Sequence, residues 1–176
     1  MFNKNLKLAL ATTAICSIAF GASQSDAASL TASGDIEIRE ALAISETTGI
    51  NFGQVETVAS GIGEITVDKT GSLSATGTNI LDSTSASQGV FSITGSATET
   101  IDIDIDDGGN VSGMSFTDIT GDYGSTTDGD FLTGVTAQDA PGTSGTDLTI
   151  GATLQVNDTV AEGTYTPEIV INVNYN

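Results

Sequence analysis

Between Thr98 and Asn110 the chain reads TETIDIDIDDGGN, with isoleucines at 101, 103 and 105 and aspartates at the alternate positions. A helix would need its apolar positions three and four residues apart. A period of two instead fits a strand that buries one face and hydrates the other. The same stretch also tempts a calcium-loop reading, since Asp102, Asp104 and Asp106 match the first three oxygen positions of an EF-hand. Asp107 then stands where that loop needs glycine, and Gly113 where it needs the bidentate glutamate. A strand also points these carboxylates along one face rather than around an ion. What survives is a smaller candidate cation site, with calcium as the candidate ion, formed by Asp106, Asp107 and Asn110 at the strand end.

The alternation recurs along the chain. Leu30, Ala32, Gly34, Ile36 and Ile38 fall on even positions and Asp35, Glu37 and Arg39 on odd ones; Glu40 interrupts the apolar face and predicts a break near Arg39 to Ala41. Strands are expected over 50–58, 62–68, 89–96, 99–107, 110–119 and 146–156, with a weaker pair over 71–81. The Gly-Ser-Ala connection after 89–96 suits a hairpin to 99–107, and 110–119 should continue the meander. Residues 120–145 are dense in Gly, Asp, Thr and Ser. They read as a long loop with a short strand at 131–135. The closing segment, 163–176, puts Tyr165, Ile169, Ile171, Val173 and Tyr175 on one face. No stretch beyond the first residues has helical periodicity. The fold expected is an all-β antiparallel sandwich of immunoglobulin or pilin-like type, with a closed barrel as the structural alternative.

The start of the chain carries Lys4 and Lys7, an apolar run from Leu8 to Phe20, and small residues at Ser25 and Ala27. This predicts a signal peptide over 1–27 and a single domain over 28–176, exported to the periplasm, the cell surface or the medium. The apolar run is shorter than the roughly 20 residues that span a bilayer, so no membrane span is expected in the mature chain. Ile15 before Cys16 argues against a lipid attachment site. Residues 28–176 keep Arg39 and Lys69 against 22 carboxylates, a formal charge of 2 − 22 = −20. Such a surface repels nucleic acid and anionic membranes. Disorder, the other fate of acidic and aromatic-poor chains, conflicts with the repeated alternation.

The chain has no histidine, and its single cysteine, Cys16, lies in the predicted signal. Ser-His-Asp and Cys-His catalysis and histidine zinc sites are therefore closed, and no disulfide can form within 28–176. VDKTG at 67–71 lacks the glycines of a phosphate loop and reads as a strand ending in a turn. A carboxylate pair could serve a glycosidase, but a chain without tryptophan is poorly equipped to grip a sugar. The expectation is a protein that is not an enzyme and has no cofactor.

Four pieces, Ile50 to Gly53 (INFG), Phe91 to Gly95 (FSITG), Gly163 to Thr166 (GTYT) and Val173 to Asn176 (VNYN), together resemble the bacterial secreted family called domain of unknown function 4402. The closing segment also looks like the last strand of spore-coat-U-like and chaperone-usher pilin domains, with Tyr175 as the near-terminal tyrosine. That resemblance implies an incomplete sandwich completed by a neighbour's N-terminal strand. Leu30, Ala32, Gly34, Ile36 and Ile38 are then the strand-exchange candidates, adding main-chain bonds for affinity and alternate side chains for register. The competing expectation makes 30–38 the first strand of the chain's own sandwich, and the sequence favours it modestly because no flexible linker precedes INFG. The functions expected are a self-associating fimbrial or surface subunit or, alternatively, an adhesion module that binds carbohydrate or a surface partner through residues 120–145, with calcium as a modulator.

Overall fold

The computed structural model describes residues 30–109 and 111–176, so the predicted signal peptide and Asn110 lie outside the described residues. The described regular structure is all β, and every ladder is antiparallel. Its strands are β1 (Ala43–Thr48), β2 (Gln54–Val55), β3 (Ile62–Val67), β4 (Leu73–Thr76), β5 (Ile80–Asp82), β6 (Gly89–Thr94), β7 (Ile101–Asp107), β8 (Met114–Tyr123), β9 (Thr126–Asp130), β10 (Val135–Gln138), β11 (Thr146–Asn157) and β12 (Ile169–Tyr175).

The longest strand, β11, organises the larger sheet. Leu148 is registered with Phe91 of β6 and also with Tyr123 of β8, so these two strands occupy opposite edges of β11. Further along, Ala152–Asn157 pairs with β3, which carries β4; β1 extends the sheet beyond β6, and β9 beyond β8. The second sheet has the order β10-β7-β12, and β2 with β5 forms a separate two-stranded ribbon. Alternation then builds the sandwich core. Leu148, Ile150, Leu154 and Val156 of β11 and Phe91 and Ile93 of β6 face Ile101, Ile103 and Ile105 of β7, and all belong to one buried cluster.

The period of two fails inside β8, and the ladder shows why. Phe116 and Ile119 of β8 are both buried although three residues apart, and the register against β11 shifts between Thr153 and Leu154. The extra residue of this bulge restores the inward aim of Ile119.

Several sequence expectations are corrected. Residues 89–96 and 99–107 do not form a hairpin, because β6 and β7 belong to different sheets, and 110–119 returns to the larger sheet instead of continuing a meander. Both strands bury one apolar face, and facing each other across the core satisfies both. The 120–145 region is not one long loop: β8 runs to Tyr123, β9 and β10 follow, and Phe131 is fully buried. β9, TTDGD, pairs through backbone that its polar composition does not advertise. Within 50–58 only Gln54–Val55 is a strand, with an isolated bridge between Asn51 and Ser87. Tyr165 lies outside β12; Pro167, which has no N–H to give a ladder, stands between them. Finally, residues 30–42 contain no strand, so the strand expected over 30–38 is absent from the described residues.

Candidate functional site

Residues 30–38 keep the alternation of a strand but carry no ladder among the described residues. Leu30 is 93% exposed, Ile36 83% and Ile38 84%. Solvent therefore covers large aliphatic side chains that the sequence arranges on one strand face. Immediately after them the chain is tied down. Arg39 meets Glu37 at 2.8 Å and Glu99 at 3.5 Å, and the Tyr175 hydroxyl donates to the Glu40 carbonyl at 2.6 Å while accepting from the Ser96 amide at 2.7 Å. This clasp needs Gly95. A Cβ there would stand 2.6 Å from the Tyr175 oxygen and 2.8 Å from Leu42 Cδ2.

Beside the clasp the sandwich is open. β12 pairs with β7 along Ile169–Tyr175, and among the described residues its other edge carries no ladder. Among the described residues β1 pairs with β6 alone, and all six of its residues are exposed. Between these two edges runs a groove of about 280 Å³, lined by Leu42, Ala43, Ile44, Ile171, Asn172, Val173 and Asn174. A pocket for a small molecule is normally enclosed and has a few convergent polar groups. This one is a shallow apolar seam along two strand edges, a shape that suits extended polypeptide.

The strand-exchange candidates and the terminal strand differ in burial. Leu30, Ile36 and Ile38 are exposed without pairing, whereas Ile169, Ile171, Val173 and Tyr175 are only half-buried because one side of their strand is uncovered. Tyr165 is not part of this face; its hydroxyl donates to the Ala161 carbonyl in the preceding loop. Sequence reasoning missed the opposite wall, Leu42 to Ile44, and the two groups bound by Tyr175. The near-terminal tyrosine was the available signal, but its partners lie 135 and 79 residues away.

The acidic candidates do not converge. Asp106 accepts from the Asn172 side chain at 3.0 Å, whereas Asp107 accepts from the Gly109 amide at 2.9 Å and the Phe116 amide at 3.1 Å. Asn110 is outside the described residues. Among the described residues no three acidic side chains are grouped to hold a metal ion. Asp102 likewise serves the scaffold, accepting from the Ala137 amide and the Asn176 side chain. Asp102 and Asp106 thus bond across to the chain on either side of β7.

The VDKTG turn is structural. Asp68 accepts from the Thr70 hydroxyl and from the Ser72 and Thr70 amides, which hold its carboxyl below the usual range. Lys69 lies 2.7 Å from both Asp122 and Asp128; these hydrogen bonds raise its pKa, and the Lys69 contact lowers that of Asp122. The three groups tie the β3–β4 turn to β8 and to the β8–β9 hairpin, where Asp128 is held at a φ of 55°.

A family model described as Domain of unknown function (DUF4402) matches residues 42–175, a span that takes in both walls of the seam and leaves out 30–38. No curated protein and no solved structure was found to match the chain.

Proposed function

The chain belongs to this family, whose description assigns no activity, and we propose that it is an exported, non-enzymatic structural subunit that associates copy to copy into a pilus-like filament or surface layer. The observation that carries this reading is the unpaired segment from Leu30 to Ile38, whose alternating apolar side chains lie in solvent. Such a segment is a liability in a lone molecule and a source of binding free energy in an assembly. The resemblance of the last strand to pilin and spore-coat-U-like domains supports the same reading. So does the set of residue types in 28–176, which lacks histidine and cysteine. The strong negative charge disfavours indiscriminate aggregation and leaves specific strand contacts as the route to association. Ligand capture through 120–145 is the second reading, with β9, β10 and their exposed connections as the surface in place of one long loop.

The test is light scattering and negative-stain microscopy on residues 28–176, set beside an Ile36→Asp, Ile38→Asp variant. Concentration-dependent oligomers or fibres should form with the parent chain and be lost in the variant, with thermal stability of the monomer unchanged. A parent chain that stays monomeric at every concentration, on a cell surface without fibres, would sink the proposal.

A further inference from the structure

We propose that the Arg39–Glu40 peptide bond is a processing site for an arginine-specific endoprotease, which cuts once, removes residues 28–39 and leaves the folded domain whole. The placement of two cations carries this. Arg39 and Lys69 are the only basic residues in 28–176, and they stand in opposite settings. A protease binds several residues on each side of the cut in extended form, so open chain is cut and chain within a ladder or a tied turn is protected. Residues 30–41 are all exposed and 30–42 contain no strand, which leaves the run around Arg39 open to such binding. Lys69 sits in the turn between β3 and β4, where Asp68 accepts from the Thr70 and Ser72 amides and the Gly71 amide donates to the Asp68 carbonyl. Its ammonium is 2.7 Å from both Asp122 and Asp128, so the side chain that an enzyme must grip is already held by β8 and the β8–β9 hairpin.

The recognition chemistry follows from the guanidinium. Arg39 rests against Glu37 at 2.8 Å and Glu99 at 3.5 Å, neither of them buried. An enzyme whose specificity pocket carries a carboxylate exchanges one ion pair for another, and such solvent-facing pairs hold weakly. Water then adds across the bond: the Arg39 carbonyl carbon ends as a carboxylate, and the Glu40 nitrogen leaves as an ammonium.

The clasp gates this cut. The Tyr175 hydroxyl donates to the Glu40 carbonyl on the departing side of the bond, and Glu99 holds Arg39 on the other, so both restraints must release before the chain fits a protease cleft. What leaves includes Leu30, Ile36 and Ile38, the most exposed large hydrophobic residues described. What stays, 40–176, keeps all twelve strands and the span matched by the family model. The cut thus strips the apolar segment from a free subunit. Its effect on association rests on the assembly reading above, whereas the cut itself does not.

Trypsin is the probe, applied to residues 28–176 under native conditions with the products weighed by mass spectrometry. The expected first product begins at Glu40, forms at least about tenfold faster than any cut at Lys69 and is abolished by Arg39→Gln. Tyr175→Phe should speed the cut roughly fivefold, since cleavage tracks the open population and the lost bonds are worth about that factor. Chain recovered from the cells that export it should include a form beginning at Glu40, which the Arg39→Gln variant lacks. Cutting at Lys69 as fast as at Arg39 overturns the single site, and an unchanged rate in Tyr175→Phe overturns the gate. Exported chain that never begins at Glu40 overturns processing. Oligomers formed equally by cut and uncut chains would overturn the assembly reading and leave the cut standing.

Discussion

β7 and residues 30–38 carry the same kind of alternation and meet opposite fates. In β7, with a partner strand on each side, Ile101, Ile103 and Ile105 are 0% exposed. In 30–38, with no ladder among the described residues, Leu30, Ile36 and Ile38 are almost wholly exposed. β12, with one partner, is half-buried and falls between them. A period of two therefore specifies which face a strand offers, and the number of paired edges decides how much of that face is covered.

The largest effect that could break this comparison comes from truncating its two ends. Ile103→Ala should cost about 2 to 5 kcal/mol in urea unfolding, because the cavity is enclosed on all sides. Ile36→Ala, measured below the concentration of assembly, should fall within about 0.5 kcal/mol of the parent. Comparable losses at the two sites would mean that 30–38 packs on its own domain in solution.

A smaller effect sharpens the middle case. Tyr175→Phe removes a hydroxyl that makes two hydrogen bonds and should cost about 1 kcal/mol, near the net worth of a neutral bond. Amide exchange at residues 39–42 and at Ser96 should accelerate, while the β7 amides stay protected. Unchanged exchange at 39–42 would show that the clasp does not hold the root of the segment.

The smallest effects are set by pH, since most of the shifted groups are exposed and screened. Hydrogen bonds hold Asp68, Asp82, Asp122 and Asp139 below the ordinary 3.8. Their contribution is present above that value and fades as pH falls through the folded values. Burial pushes Tyr123 up to about 12 from 10.0, and Lys69 is raised above 10.5, so stability should decline from pH 10 upward as the unfolded chain loses those protons first. Between about pH 5 and about pH 9 a chain without histidine should show a flat unfolding midpoint by circular dichroism.

The strands legible in the sequence were those with an apolar residue at every second position of one face over most of their length: 62–67, 89–94, 101–107, 146–157 and 169–175. Their pairing was not legible, because a short connection such as 95–100 serves a hairpin or a crossing between sheets equally well. β9 stayed hidden, since its backbone pairs while its side chains are Thr, Asp and Gly. The candidate site was half-legible. Both apolar stripes stood out, but whether 30–38 pairs within its own domain is a question of three-dimensional edges. The carboxylates of 102–107 drew attention by chemistry, and two of them, Asp106 and Asp102, are tied to the side chains of Asn172 and Asn176 as part of the scaffold.

The clasp at Tyr175 also has a mechanical meaning. Tension applied through residues 30–38 reaches the domain at Arg39 and Glu40, where the Tyr175 hydroxyl and the Glu99 carboxylate take the first load. Beyond them lies β1, laid antiparallel to β6 from Ala43 to Thr48. A pull along that strand shears its ladder instead of unzipping it one bond at a time, so the bonds share the force. Resistance to stretching would then be governed by the rate of forced rupture at this corner, and the equilibrium stability of the core would matter little.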